Sequence, residues 1–304
     1  MRILAYLLIV MSFACGIQAA PQRFEYSQVA MGVRARIVLY AKDEATAKQA
    51  ASAAFDRIAC LEDVMSDYRP TSELMRLCSK AGGPPVHVSP DLLFILTKSQ
   101  ELARRSGGAF DVTVGPMVRL WRTARKSGVL PTSAEISAAQ SLVGWRKITI
   151  DPKAYTVKLA VPGMKIDLGG IAKGYACDEA IRILEEQGID SALVEMGGDI
   201  AVSDPPPGTK GWEIEVAGKT MTLSNKAVSS SGDTEQFVEI GGKRYSHIVD
   251  PKTGLGLTNR IAVTIIARKG VTSDGLSTAV SVLGEEKGRE LVKSYSGARA
   301  HIRN

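Results

Sequence analysis

The sequence predicts an α+β fold of mixed, largely antiparallel sheets with flanking helices. Two-residue alternation of apolar positions marks strands from Phe24 to Tyr40, and short runs of the same kind return from Ala192 onward. Between them lie stretches whose apolar residues recur at helical spacing. That order matches neither a repeated βαβ unit nor an all-β sandwich, and no fixed-period repeat or low-complexity tract interrupts it. With 304 residues, 45% hydrophobic and 23% charged, the chain can bury an ordinary core. The expected division is a signal peptide over residues 1–20 followed by a single domain over residues 21–304.

In the leader, Arg2 is the only charge and Ile3 to Ala14 is an apolar run too short to span a bilayer comfortably, the pattern of a secretory signal peptide. Ala19 and Ala20 suit ordinary cleavage, although Pro21 follows them awkwardly. Ser12-Phe13-Ala14-Cys15 imperfectly resembles a lipoprotein cleavage box. The expected product is exported, either soluble in the periplasm or lipid-anchored through Cys15, with no later segment long and apolar enough to cross a membrane.

Within the domain, Met31-Gly32 interrupts the first strand pattern, and Glu44 to Met65 is a long alanine-rich amphipathic helix. A loop over Ser66 to Thr71 leads to a helical turn at Ser72 to Cys78, and Gly82-Gly83-Pro84-Pro85 breaks the chain. Ser89-Pro90-Asp91 reads as an N-cap with proline in the first turn of a helix running to about Ser106. Gly107 to Pro116 is a glycine-flanked loop, followed by an apolar turn from Met117 to Trp121. Thr123 to Trp145 reads as a structural surface insertion whose helix is capped by Thr132 or Ser133 ahead of Glu135. Strands are expected at Lys147 to Ile150, Val157 to Ala160, Ala192 to Met196, Trp212 to Val216, Ala227 to Ser230, Phe237 to Ile240 and Ile261 to Ala267, with Pro205 to Gly208 as a surface loop.

Asp167-Leu168-Gly169-Gly170-Ile171-Ala172-Lys173-Gly174 carries the strongest chemical signal. Met164 to Leu168 is apolar enough to end a strand, and helical periodicity runs from Ile171 to Gln187 until Gly188 stops it. A helix starting on a glycine pair offers free N–H donors to an anion, Lys173 adds a mobile positive charge, and Asp167 adds a hard oxygen. Neither the P-loop nor the dinucleotide Gly-x-Gly-x-x-Gly spacing fits, since Tyr175 follows Gly174. By itself the stretch also suits a glycine turn that packs a helix tightly on a sheet.

Composition narrows the alternatives. Beyond the leader only Cys60, Cys78 and Cys177 remain, with no Cys-x-x-Cys, which argues against a zinc site and a dense disulfide framework. A Cys60–Cys78 bridge has nothing in the sequence to support it, and Cys177 reads as a small core residue. The net charge of +6 is scattered among acids rather than gathered in a stripe, so nucleic acid is not an expected partner.

Four further clusters combine glycine, acid and hydroxyl residues: Gly197-Gly198-Asp199, Ser229 to Asp233, Ser246 to Gly254, and Ser273 to Thr278. Together with Met31-Gly32, Met65-Ser66-Asp67-Tyr68, Ser72-Glu73-Leu74 and Gly108 to Pro116, and in this order around the Asp167 to Gly174 motif, they resemble the FAD:protein FMN transferases, the ApbE flavin transferase family. The resemblance runs from Met31 to Gly284 and implies an ApbE-like fold. It further implies an enzyme that binds FAD and Mg2+, cleaves the pyrophosphate, attaches FMN through a phosphoester to a Thr or Ser hydroxyl of an exported or membrane-attached acceptor, and releases AMP. On that resemblance, FAD contacts fall on Met31, Tyr68, Ala109, Phe110, Asp111, Asp167, Lys173 and Ile248, and the metal is held by the Gly170 backbone carbonyl with Asp274 and Thr278. Val33 and Cys78 depart from the common pattern, where threonine and asparagine are usual.

The residue chemistry agrees with these implications. Asp274 and Thr278 are four apart at the start of an apolar-periodic helix ending at Gly284, so both oxygens can lie on one face, and Mg2+ prefers such hard donors. An N-cap for Asp274 and a surface hydroxyl for Thr278 are the plainer readings of the spacing alone. Tyr68 and Met31 suit a flat polarizable ring, as they also suit a core. Asp111 and Asp167 can accept from ring imides or sugar hydroxyls, or cap turns. His247 is the only histidine inside a motif, and is expected to position or deprotonate the acceptor hydroxyl or to stabilise the phosphate.

Overall fold

A computed structural model describes residues 20–232 and 237–303. The leader with Cys15, and Asp233 of the Ser229 to Asp233 cluster, lie outside the described residues. The chain opens with β1 (Gln22–Ala30) and β2 (Val33–Ala41), a hairpin turned by Met31 and Gly32 at φ 49° and 75°. Both residues sit in the left-handed region that two-residue hairpin turns require. There follow α1 (Glu44–Met65), α2 (Glu73–Ser79), β3 (Val86–His87) and α3 (Pro90–Arg105), capped respectively by Asp43, by Ser72 and, for α3, by Ser89 with proline in its first turn. A 3₁₀ turn at Val112–Val114 leads to α4 (Gly115–Ser127) and α5 (Ser133–Leu142), the latter closed by a full capping box between Thr132 and Glu135.

Next come β4 (Ile148–Asp151), β5 (Thr156–Leu159), α6 (Ala172–Glu186), β6 (Ala192–Met196), β7 (Asp199–Val202), β8 (Trp212–Val216), β9 (Lys219–Leu223) and β10 (Lys226–Ser231). The chain ends with β11 (Phe237–Ile240), β12 (Lys243–Ser246), β13 (Ala262–Ala267), α7 (Gly270–Leu283), α8 (Glu285–Lys293) and β14 (Arg299–Arg303).

The scaffold is a fully antiparallel seven-stranded sheet in the order β1-β2-β6-β7-β10-β13-β14. Strand periodicity sends alternate residues to its two faces. Ile37 and Leu39 of β2, Val194 of β6 and Ile265 of β13 join Ile58 of α1, Leu96 of α3, Ala180 of α6 and Ala279 of α7 in the main core. Val38, Leu193, Val228 and Ile266 face the other way, under Trp212, Ile214 and Val216 of the β8–β9 hairpin. Burial on both faces accounts for the consecutive buried residues of β6, of β13 and of β2 at Ile37 to Leu39, where the alternation that marks the start of β2 gives way. A smaller sheet, β3-β5-β4, and the β11–β12 pair complete the fold, and among the described residues no helix is long and apolar enough to cross a membrane.

Some expectations change. Met164 to Leu168 ends no strand: Met164, Ile166 and Leu168 are buried alternately, as a strand would bury them, but the segment joins no ladder. Its backbone is held instead by Asp167 N–H donating to Val112 O at 2.8 Å and Ile166 N–H to Cys78 Sγ at 3.4 Å. Met117 to Trp121 is not a lone turn but lies inside the thirteen-residue α4. The helix carrying Asp274 starts at Gly270, so Asp274 sits in its second turn and is no N-cap. Short strands such as β7, β9, β12 and β14, of four or five residues, are too brief for alternation to announce them; the first three are set by tight hairpins with the strand before, and β14 by pairing with β13 across α7 and α8. Cys60, Cys78 and Cys177 are all free thiols, and Cys177 is a core residue as expected.

Candidate active site

Helices α6 and α7 meet where glycine leaves no side chain between them. A Cβ on Gly174 would lie 2.1 Å from Gly270 O, and one on Gly270 would lie 2.2 Å from Gly174 O. This contact brings the second turn of α7 against the first turn of α6. Asp178 of α6 fastens the joint by accepting from the Gly270 and Val271 N–H groups at 2.7 and 2.9 Å, so the N-terminus of α7 is capped from a neighbouring helix rather than by its own preceding residue. Burial pushes the Asp178 carboxyl up to about 6.

At the joint, the Gly174 N–H donates to Asp274 Oδ2 at 2.9 Å, so this donor at the start of α6 is already taken by protein. Lys173 Nζ lies 2.8 Å from Asp199 Oδ2 and 3.9 Å from Asp274 Oδ2. Both carboxylates are nearly excluded from water, at 4% and 3% exposure for the two residues. Burial, then the charge of Asp199, raise Asp274 to about 7. Although burial works against its charge, Asp274 and Asp199 hold the Lys173 ammonium protonated well above its ordinary range. Asp199 comes from the Gly197-Gly198 hairpin between β6 and β7, at φ 55° and 93°. The sequence showed that cluster without a role for its acid, and only the sheet register brings it to Lys173.

Thr278, one turn beyond Asp274, faces the loop before α6: a Cβ on Gly170 would stand 2.8 Å from Thr278 Oγ1. The Gly170 backbone, the Thr278 hydroxyl and the Asp274 carboxylate therefore share one small region of hard oxygen donors. Two acids face one lysine there, an excess of negative charge that suits a divalent cation. Among the described residues no three His, Cys, Asp or Glu side chains are grouped to hold a metal, so any ion here would depend on the carbonyl and hydroxyl. The donor set fits Mg2+.

The α7 face behind Asp274 is tied to the sheet by hydroxyl pairs. Ser229 and Ser273 Oγ atoms are 2.8 Å apart, those of Ser231 and Ser277 2.9 Å, and Ser277 also donates to Asp274 O at 2.8 Å. The serine-rich clusters thus become a buried polar seam that fixes α7 against β10.

A second group of predicted residues assembles at the rim. The Arg122 guanidinium of α4 donates to Asp67 and, at 2.9 Å, to Asp167 Oδ2, while its face lies 4.1 Å from the centroid of the Tyr68 ring. Tyr68 is 73% exposed. Asp167 Oδ1 accepts the Gly169 N–H at 2.8 Å, which ties this group to the glycine pair. Burial and the neighbouring Asp67 charge raise the Asp167 carboxyl, with Arg122 opposing. Met31 joins through Glu62, whose Oε2 accepts the Met31 N–H at 3.1 Å and whose Oε1 lies 3.1 Å from Arg69 of the Tyr68 loop.

Ala109 and Phe110 are 4% exposed, and the Phe110 side chain packs into the main core. Asp111 has both oxygens engaged by protein: Oδ1 accepts from Thr113 N–H at 2.8 Å and Thr113 Oγ1 at 2.6 Å, and Oδ2 accepts from Trp145 N–H at 2.8 Å. These bonds make the loop a fixed wall. Ile248 is buried and His247 half-buried on the arm after β12, which docks on α4 through Trp121 Nε1 donating to Gly254 O at 2.8 Å. Asp199, Arg122, Asp67 and Asp178 are the residues sequence reasoning did not assign to the site; their acid and arginine identities were visible, but their partners were not.

Comparison with known proteins gives one answer throughout. Curated relatives include an FAD:protein FMN transferase of Haemophilus influenzae, 35% identical over 77% of this chain and 73% of the relative, and one of Vibrio cholerae, 33% identical over the same shares. Among solved structures, the flavin transferase ApbE from Vibrio cholerae superposes with a TM-score of 0.82 at 30% identity over 93% of each chain. The Pseudomonas stutzeri flavinyl transferase ApbE superposes at 0.83 and 29% identity, over 92% of this chain and 90% of the other. With the ApbE family sequence profile matching residues 31–302 and an α+β architecture shared with those structures, the chain belongs to the ApbE family.

Proposed function

We propose that this chain transfers FMN from FAD to a Thr or Ser hydroxyl of an exported or membrane-attached acceptor protein, using Mg2+ and releasing AMP. The observation that carries the reading is the Lys173 ammonium set between Asp199 and Asp274 beside the Gly170–Thr278 contact. A fixed cation next to hard oxygen donors is suited to a diphosphate. Tyr68, Met31, Asp167 and the Ala109–Asp111 wall are proposed to receive the flavin end of FAD, with Ile248 on the opposite arm.

Gly170 through its carbonyl, Asp274 and Thr278 would hold Mg2+, which when bound neutralises pyrophosphate charge and stabilises the transition state of an in-line displacement. The acceptor oxygen forms a bond to the FMN phosphorus as the bond from that phosphorus to the bridging oxygen breaks, and the bridging oxygen leaves on AMP. Lys173, kept protonated by its two acids, balances charge on the diphosphate without needing to move. His247 is the candidate to orient the acceptor hydroxyl and take its proton. The apolar leader over residues 1–20 supports action outside the cytoplasm, with the protein soluble in the periplasm or anchored through Cys15.

Incubation with FAD, Mg2+ and a candidate acceptor, followed by mass measurement of the intact acceptor, tests the reading. Covalent FMN on the acceptor is the expected result. Free FMN with an unmodified acceptor would make the chain an FAD pyrophosphatase, and intact FAD would make it a binding protein.

A further inference from the structure

We propose that Arg122 is a positioning residue that sets the Tyr68 ring and Asp167 in one rigid unit, and so fixes the spacing between the flavin platform and the diphosphate end of the site. The inference rests on the FAD reading above and concerns a residue outside the family-derived set of contacts.

Arg122 does three things at once. One side of its fork binds Asp67, the other binds Asp167 Oδ2 at 2.9 Å, and its plane lies beneath Tyr68 at 4.1 Å from the ring centroid. Lysine cannot reproduce this, since a single ammonium has no second arm and no flat face. Tyr68 is 73% exposed although its lower face is covered, so the uncovered face looks outward. An exposed tyrosine held flat from below is a platform for another planar ring. Asp167, the second partner, also accepts the Gly169 N–H, and α6 with Lys173 begins just beyond. A continuous path of short contacts therefore runs from Tyr68 through Arg122 and Asp167 to the glycine pair.

Arg57 supplies the internal contrast. It too bridges two acids, donating to Asp91 Oδ2 at 2.8 Å and Glu179 Oε2 at 2.8 Å, but the aromatic group in its network, Tyr175, is buried and donates to Asp91 at 2.7 Å. That network holds α1, α3 and α6 together and presents no ring to a ligand.

The test uses full-length protein with FAD as the probe. Stacking on tyrosine shortens the fluorescence lifetime of a flavin, so lifetime reports the platform and equilibrium dialysis reports affinity. Arg122→Gln is expected to weaken FAD binding about 10-fold and to lengthen the lifetime, Arg122→Lys to recover only part of both, and Arg57→Gln to lower thermal stability without altering the lifetime. In a Tyr68→Ala background, Arg122→Gln should cost less than about 3-fold, because the ring it positions is gone. Arg122 variants that bind FAD within 2-fold of wild type with an unchanged lifetime would overturn the role alone. Wild-type protein that retains no FAD would overturn the flavin reading and this role with it.

Discussion

Lys173 lies between Asp199 and Asp274, and Arg122 lies between Asp67 and Asp167, yet these two acid–cation–acid groups differ in depth and in the shape of the cation. The first is closed in by the α6–α7 glycine contact, and its acids are almost dry. The second sits at the rim under an exposed ring, with about a fifth of the Arg122 side chain accessible. In the dry group the number of charges matters, because burial penalises each of them and leaves little water to screen them: burial first and then the charge of Asp199 hold the proton on Asp274 to about 7. At the rim the acids keep somewhat more contact with water, 14% for Asp67 and 11% for Asp167, and direction is what the cation adds: a planar fork points at two carboxylates while supporting a ring. Similar inventories of charge thus serve charge compensation in one place and geometry in the other.

The sharpest way to break this contrast is at the inner group. Asp274→Ala should lower FMN transfer by about 100- to 1000-fold while weakening FAD binding much less, read by single-turnover transfer and equilibrium dialysis. Full transfer by that variant in excess Mg2+ would remove Asp274 from the metal set. Gly174→Ala should destabilise the protein by about 3 kcal/mol in urea unfolding, since the added methyl meets backbone, which cannot move aside as a flexible side chain does. A stability unchanged from wild type would mean that the joint is looser than its geometry.

The pH dependence of stability separates the groups further. Asp274 is raised to about 7 by burial and Asp199, and Asp178 to about 6 by burial, from an ordinary value near 3.8. The folded state therefore holds protons that the unfolded state releases between those values, so this contribution is full below pH 3.8 and is lost as pH rises toward 7. In EDTA, urea midpoints should fall across that window; Mg2+ should flatten the fall, and Asp178→Asn should remove its lower part. A midpoint independent of pH in EDTA would contradict the burial of both acids. The smallest effect belongs to the rim, where Asp67→Asn should weaken FAD binding by about 3-fold, because Asp167 still holds the other arm of Arg122. A loss as large as that of Arg122→Gln would show that the two arms do not act separately.

Much of the fold was legible from local pattern. The bounds of α1, the caps at Ser89 and Thr132, the Met31-Gly32 interruption and the stop at Gly188 all follow from forces acting within a few residues. The Met164 to Leu168 segment shows where the same pattern misleads. Alternating burial is common to any extended chain pressed against a core, and only a partner strand makes it a ladder. Similarly, α7 begins four residues before Asp274 because Asp178 caps it from another helix, which no inspection of Ser273 to Thr278 can reveal.

By itself the sequence determined the kinds of group available: a glycine-led helix start, a lysine within it, an Asp and a Thr one helical turn apart, and a tyrosine in a loop. Tertiary structure alone decided which charges share a space. Gly174 and Asp274 meet across 100 positions, and Arg122 reaches partners 55 and 45 positions away. Helical periodicity and capping are short-range and survive in any context that permits a helix, whereas the field at a carboxylate depends on every charge and every excluded water around it. Those are set by how the sheet and helices close on one another, and Asp199 became part of the site only when they did.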